Sequence, residues 1–318
     1  MVVPQTGRWP IRVPHFFASS FRLSRLWLFA SVTPRMKIST GQTVLITGAP
    51  GGLGTFITEA FAERGVKLGL VAYPGAELEL LRQKIEKRGI KTLALAADLR
   101  DRAQQHQIFE RVRKELGEID VLVNNAGVEF TSAYHDLTEE NILEILSVNL
   151  EAAMILTRLV LPDMLRRKSG HIVHMSSLAG RTGPAYQEVY SATKAGLIAF
   201  NASFRATYRG TGVSSSVITP GFVEAGIYSK LKATSGYSAP ASFGVSRPEK
   251  VARAVIRAVE NNIPEVIINP VPIRPMIVLS LFCPSVGEWL IEKLGATAFF
   301  ARVAEAEKKK TAEKPVVV

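Results

Sequence analysis

Tyr190 and Lys194 stand four residues apart in Y-S-A-T-K, and Ser177 lies thirteen residues before the tyrosine. Residues at i and i+4 share one face of a helix, so the phenol and the amine are brought side by side. A free tyrosine, with a pKa of about 10, is a poor acid–base group near neutrality. A neighbouring ammonium favours the phenolate and pulls that value down. Moving it to about 7 takes roughly 4 kcal/mol of differential stabilisation. One lysine in a partly desolvated site, helped by a positively charged cofactor ring, can supply that. A phenol tuned in this way exchanges a proton with a carbonyl or alcohol oxygen. On a bare helix surface the same pair would do nothing, so the elements that place it decide the matter.

Those elements follow a regular rhythm. From Thr43 to Asn269, apolar strands alternate with amphipathic helices. Strands are predicted at 43–47, 67–72, 92–96, 120–123, 171–175, 215–219 and 266–268. Helices are predicted from Gly52, over 76–88, 102–116 and 138–168, around Tyr190 and Lys194, and up to 261. Thr138 followed by Glu139 and Glu140 suits a helix N-terminus. Ser246 and Glu249 read as a capping box, with Pro248 in the first turn. This alternation predicts an α/β fold, a doubly wound parallel sheet of Rossmann type, as a single domain over 39–270. In such sheets the ligand lies beyond the carboxyl ends of the strands.

The run T-G-A-P-G-G-L-G at 47–54 falls between the first strand and its helix. Gly48, Gly52 and Gly54 let the backbone turn tightly and approach a pyrophosphate, whose charge a helix N-terminus favours. A nicotinamide dinucleotide held there would bring hydride chemistry to the Tyr190 phenol.

Composition narrows the alternatives. The chain has 318 residues, 47% of them hydrophobic, enough for one α/β domain with appendages. A single cysteine, Cys283, excludes an intrachain disulfide and fits a reducing compartment such as the cytoplasm. No Cys/His cluster has metal-ligand spacing, and His171 and His174 read as structural groups within one strand. The formal net charge is +11, but Arg8, Arg12, Arg22, Arg25, Arg35 and Lys37 precede the first acidic residue, Glu59. The basicity is therefore largely N-terminal, and no nucleic-acid-binding signature accompanies it.

Both ends read as appendages. Residues 1–38 are basic, acid-free and rich in Ser and Phe. They fit an organellar transit peptide, an amphipathic membrane-surface segment, or a stretch upstream of a true start at Met36. Residues 271–307 form an apolar extension, with two short amphipathic helices expected around 289–295 and 298–304. They could cover a substrate mouth, pack a dimer or touch a membrane surface. Lys308 onward is expected to be disordered. The location then reads as cytoplasmic, with membrane association or organelle import as the alternatives.

Residues 41 to about 269 resemble the short-chain dehydrogenase/reductase family in five ordered motifs. These are the glycine loop, Asp98-Leu99, N-N-A-G at 124–127, the Ser177/Tyr190/Lys194 set with Asn149 ahead of it, and P-G at 220–221. The resemblance implies that Tyr190 is the general acid or base, that Lys194 lowers its pKa and holds the nicotinamide ribose, and that Ser177 orients the carbonyl. It implies that Asn149 helps hold a water-linked proton relay from the lysine. It also implies cofactor contacts at Thr47, Gly48, Gly51, Gly52, Leu53, Gly54, Asp98, Leu99, Asn125, Ala126, Gly127, Pro220, Gly221 and Val223. Asn124 reads as a tie between strands. Gly51 lets the loop also fit the extended branch of the family, but N-N-A-G favours the compact one. A homodimer or homotetramer through the 138–168 helix and the Tyr190 helix is expected from the resemblance.

Two positions depart from the pattern. Ala72 and Tyr73 replace the acidic residue that holds the ribose 2′-OH in NAD enzymes, so NADP is preferred over NAD, although neither Pro50 nor Tyr73 is basic. Ala225 replaces a threonine that contacts the nicotinamide, with Tyr228 as the candidate substitute. Ile227, Tyr228, Leu231, Tyr237 and Phe243 predict an apolar substrate lining, with Ser177, Tyr190 and Tyr228 touching a hydrophobic ketone or secondary alcohol. The alternatives are a 3-oxoacyl-carrier-protein-type reductase and a non-catalytic dinucleotide-binding scaffold.

Overall fold

A computed structural model describes residues 35–313, so most of the 1–38 extension and the last five residues lie outside the described residues. Seven parallel strands run in the order β3-β2-β1-β4-β5-β6-β7. They are β1 (Thr43–Thr47), β2 (Lys67–Ala72), β3 (Thr92–Ala96), β4 (Val121–Asn124), β5 (Gly170–Met175), β6 (Val213–Pro220) and β7 (Glu265–Ile268). The order reverses between β1 and β4, and the crevice at that switch point is where this class of sheet takes its ligands.

Alternation builds the two layers. Along β1, Val44 and Ile46 enter one apolar cluster with Phe61, Leu70 and Val255, while Leu45 enters the other with Ile108, Leu122 and Leu156. Successive strand side chains point to opposite faces, and helices cover both, so every position of β1 is buried. Full burial of one such side chain contributes about 1.5–3 kcal/mol. The covering helices are α1 (Gly52–Ala62), α2 (Ala76–Glu86), α3 (Arg102–Glu115), α4 (Glu139–Leu146), α5 (Ala152–Arg167), the short α6 (Ala179–Thr182), α7 (Glu188–Thr207), α8 (Gly226–Ser235) and α9 (Pro248–Asn261).

The predicted 138–168 helix is present with its Thr138 cap, whose hydroxyl accepts from Asn141 N at 3.2 Å. It is not uniform, however. A π turn, Ser147–Glu151, joins α4 to α5. Glu139–Arg167 reaches a mean hydropathy of 1.5, long and apolar enough to cross a membrane by composition. Here, Ala152, Leu156, Val160 and Met164 are buried in the core instead.

Two local expectations need correction. Ser246 does not cap α9: Arg247 takes that position, Pro248 opens the helix, and the buried Ser246 hydroxyl has no partner among the described residues. Its backbone is instead bridged to Val223, which holds Ser246 outside the helix. The C-terminal extension holds three helices, α10 (Arg274–Phe282), α11 (Pro284–Lys293) and α12 (Ala296–Glu313). Residues 308–313 are therefore helical, and Lys308 Nζ is paired with Asp136 at 2.9 Å. Phe299, Phe300 and Val303 bury against Tyr228 and Leu231, which gives α12 a packing surface that its charged close did not suggest.

Candidate active site

The glycine loop leaves β1 at Thr47 and enters α1 at Gly52. Gly48 sits at φ 64°, and a Cβ there would lie 2.9 Å from Ala126 Cα. A Cβ on Gly52 would run into the backbone of Gly226, so this glycine lets the segment after β6 close against the loop. Gly51 caps α1 without any side-chain hydrogen bond, and the first turn carries no acidic residue. Its amides are therefore free of a competing anion and suited to a pyrophosphate. The loop is stitched to the N-N-A-G turn: Thr47 Oγ1 accepts from Asn125 N at 3.0 Å and Ala126 N at 3.1 Å. Asn125 Nδ2 donates back to Thr47 O at 3.0 Å and Gly48 O at 3.1 Å. Asn124 ties β4 to α5 and β5, donating to Ala153 O and lying 3.3 Å from His174 Nδ1.

Beyond this loop lie the predicted reacting groups. α7 carries Tyr190 and Lys194 on one face, with the Lys194 ammonium 5.3 Å from the phenol ring centroid. Lys194 Nζ donates to Met175 O at 2.9 Å, and burial pulls its pKa down to about 8. Burial pushes the Tyr190 phenol above its ordinary range; the Ser177 hydroxyl beside it works in the opposite direction, and negative charge on Glu129 adds to the rise. The direction is opposite to the one the Tyr–Lys spacing implies. The cause is desolvation by the surrounding protein, which penalises the phenolate more than the neighbours relieve it.

The π turn places Asn149, whose Oδ1 accepts from Val128 N and whose Nδ2 donates to Val128 O, both at 2.8 Å. A side chain on Gly127 would touch both Asn149 Oδ1, at 3.3 Å, and Lys194 Nζ, at 3.4 Å. The two groups thus meet across a glycine. Gly180 plays a similar part for α6, since a Cβ there would lie 2.6 Å from Ala195 N on α7.

A cavity of about 1290 Å³ joins these parts. Gly48, Gly51, Gly52, Leu53, Asn125, Ala126, Gly127, Ser177, Tyr190, Lys194, Pro220, Gly221, Val223 and Tyr228 line it. Thr47, Gly54, Asp98, Leu99 and Asn149 do not. Thr47 and Asn149 instead brace the segments that line it, as their hydrogen bonds show. Tyr237 is 41% exposed, under the Arg302 guanidinium, because α12 rather than this side chain closes the cavity. The Tyr228 hydroxyl accepts from Ala239 N at 3.1 Å, which ties it to the segment after α8 and leaves its O–H to donate.

Two features escaped the sequence. Phe222 and Phe300 reach the cavity, their rings 6.0 Å apart, although they are 78 positions apart in the chain (300 minus 222). Arg100 places its guanidinium 6.0 Å from the Tyr73 ring at the end of β2 and is ion-paired with Asp98 at 2.6 Å. Ala72 pairs with Ala96 across the sheet, so the segment carrying Asp98, Leu99 and Arg100 follows β3 beside the end of β2. The loop, the uncapped helix and this cation fit a phosphorylated dinucleotide.

Residues 42–236 match the family model described as short chain dehydrogenase. The chain belongs to the short-chain dehydrogenase/reductase family. This dehydrogenase is 37% identical over 275 residues to the ketoacyl reductase HetN of Nostoc sp., covering 85% of this chain and 95% of the relative. It is 30% identical to 17-beta-hydroxysteroid dehydrogenase 13 of Rattus norvegicus, across 88% of this chain and 91% of that one. Among solved structures it resembles a metagenomic short-chain oxidoreductase in complex with NADP, with TM-score 0.63 and 28% identity, over 74% of this chain and 99% of the other. This short-chain dehydrogenase is an oxidoreductase acting on CH–OH or C=O groups.

Proposed function

We propose that this short-chain dehydrogenase interconverts a hydrophobic ketone and its secondary alcohol with NADP as the preferred cofactor. The observation that carries the reading is the apolar lining that Phe222, Phe243, Phe300 and Ile273 give the cavity Tyr190 also lines. When bound, the nicotinamide supplies or accepts the hydride. Tyr190 donates the proton to the carbonyl oxygen in reduction and removes it in oxidation. Ser177 donates a hydrogen bond to the same oxygen, Lys194 holds the ribose and favours the phenolate, and Asn149 helps hold a water-linked proton relay from the lysine. The absence of acid at Ala72 and the placement of Arg100 support the 2′-phosphate preference, as does the NADP held by the metagenomic relative.

A chain-length series of methyl ketones tests the reading. With NADPH, kcat/KM is expected to rise about three- to fourfold per added methylene, the worth of roughly 0.8 kcal/mol of burial each. A flat or falling series would contradict it. The ketoacyl reductase name of the Nostoc relative favours a second reading, reduction of a 3-oxoacyl group on an acidic carrier protein. Lys230, Lys308 and Lys310 at the cavity wall would face such a carrier. A carrier-bound 3-oxoacyl thioester outperforming the free ketones would select it.

Leu143, Leu146 and Met154, exposed on α4 and α5, support a homo-oligomer through that helix face. Leu281 and Phe282, 72% and 82% exposed, and Trp289, 53% exposed, support peripheral contact of α10 and α11 with a lipid surface.

A further inference from the structure

Two residues beyond Gly127, Glu129 brings a carboxyl group into the cavity wall. Its Oε1 accepts from Gln187 Nε2 at 3.0 Å and from Thr131 Oγ1, and Gln187 Nε2 also lies 3.4 Å from Thr131 Oγ1. Both partners are buried, at 5% and 2% exposure, so the carboxyl is anchored from behind. Gln187 caps α7 three residues before Tyr190, which ties this network to the reacting helix. Charge on Glu129 is felt at the Tyr190 phenol, as expected of two groups facing one chamber.

Among the described residues, no hydrogen bond reaches Glu129 Oε2. That oxygen therefore keeps its acceptor capacity for a donor on a molecule held in the cavity it lines. The lining is also mixed: Glu129, Thr131, Ser132, Thr138 and Asn141 add polar groups to a cavity that Phe130, Phe222, Phe243 and Phe300 otherwise make apolar.

We infer that Glu129 determines specificity, its Oε2 accepting a hydrogen bond from a substrate hydroxyl carried a few bonds from the carbonyl that Ser177 and Tyr190 hold. This rests on the proposed function and narrows its substrate to an amphipathic hydroxyketone or the corresponding diol. A hydroxyl suits the site better than an ammonium. The donors on Oε1, Thr131 and Gln187, favour the carboxylate, which leaves Oε2 an acceptor, and the Lys230 charge disfavours a second cation. A donor on Oε2 also draws charge away from Tyr190, which couples recognition to the acid that reacts.

The test compares kcat/KM with NADPH for three probes: a long-chain methyl ketone, the same ketone hydroxylated on the first or second carbon from the carbonyl, and its amino counterpart. Wild type, Glu129→Leu and Glu129→Gln are assayed with each. The expected result is a wild-type preference of about tenfold or more for a hydroxyketone, seen mainly in KM, that collapses toward unity in Glu129→Leu and shrinks in Glu129→Gln. Taking the ratio within each protein cancels differences in folded fraction. Equal wild-type rates on plain and hydroxylated ketones, a preference unchanged in both variants, or a preference for the aminoketone would overturn the inference while leaving the proposed function standing. Turnover of none of the carbonyls would overturn both.

Discussion

Lys194 carries a cost that its spacing from Tyr190 does not reveal. Its ammonium is buried beside Met175 O, and its pKa falls from 10.5 to about 8. Between those values the unfolded chain binds more protons, so stability rises with pH from about 8 to 10.5; below 8 the penalty is present in full. Lys194→Met is therefore expected to stabilise the fold at pH 7, by at most about 3 kcal/mol. The gain should fade as pH approaches 10.5, and a pH-independent difference in urea midpoints would count against burial as its origin. Arg100 gives a second prediction at this scale. Arg100→Ala should weaken NADPH binding about tenfold, by fluorescence titration, while leaving NADH nearly unchanged. Equal losses for both cofactors would remove the 2′-phosphate role. Tyr190, Lys194 and Ser177 were legible in the sequence because one helix and one spacing carry their meaning. Arg100 and Glu129 were not, because each acquires its neighbours through sheet register or a turn of α7, which local spacing does not encode.

Among the elements, β5 is the one most sensitive to acid. His171 and His174 are buried in it, and burial pulls each pKa from 6.5 down to about 3. Their neutral forms contribute stability that is complete above about 6.5 and is lost as pH falls toward 3. His171 Nε2 lies 2.8 Å from Ser216 Oγ, while burial, the Arg205 charge and His174 keep the ring neutral. Replacing His171 with Asn should flatten the acid limb of a melting-temperature profile between pH 3 and 6.5, and an unchanged limb would exclude it. Gly180→Ala should cost about 1–3 kcal/mol, because the methyl meets α7 backbone rather than a yielding side chain. The strands were legible almost to the residue, since each is a short apolar run between helices. The π turn was not. It adds a residue to a helix without changing the apolar pattern, and its reason, turning Asn149 onto Val128, is tertiary. The misplaced Ser246 cap failed similarly, because the bridge to Val223 outweighed the local motif.

At the scale of the molecule, the C-terminal helices make a cleft into a chamber. Phe299, Phe300 and Val303 seat α12 on α8, and Lys308 reaches across to Asp136. Val278, Leu279, Leu281, Phe282, Val286 and Trp289 remain exposed on α10 and α11. A Leu281→Asp, Phe282→Asp double variant should lose co-sedimentation with phospholipid vesicles while keeping its circular dichroism spectrum, and undiminished sedimentation would remove the lipid contact. The sequence left covering the substrate mouth as one of three roles for this extension, since Phe300 meets Phe222 only after the chain has folded back. The central claim is that the roofed phenol beside Lys194 is the proton donor to a carbonyl. Steady-state NADPH oxidation by wild type and Tyr190→Phe, with cofactor affinity measured in parallel, tests it most directly. The account predicts ketone-dependent turnover in wild type and a loss of at least about 100-fold in kcat/KM for Tyr190→Phe at unchanged NADPH affinity. Wild-type turnover that survives the substitution would contradict it.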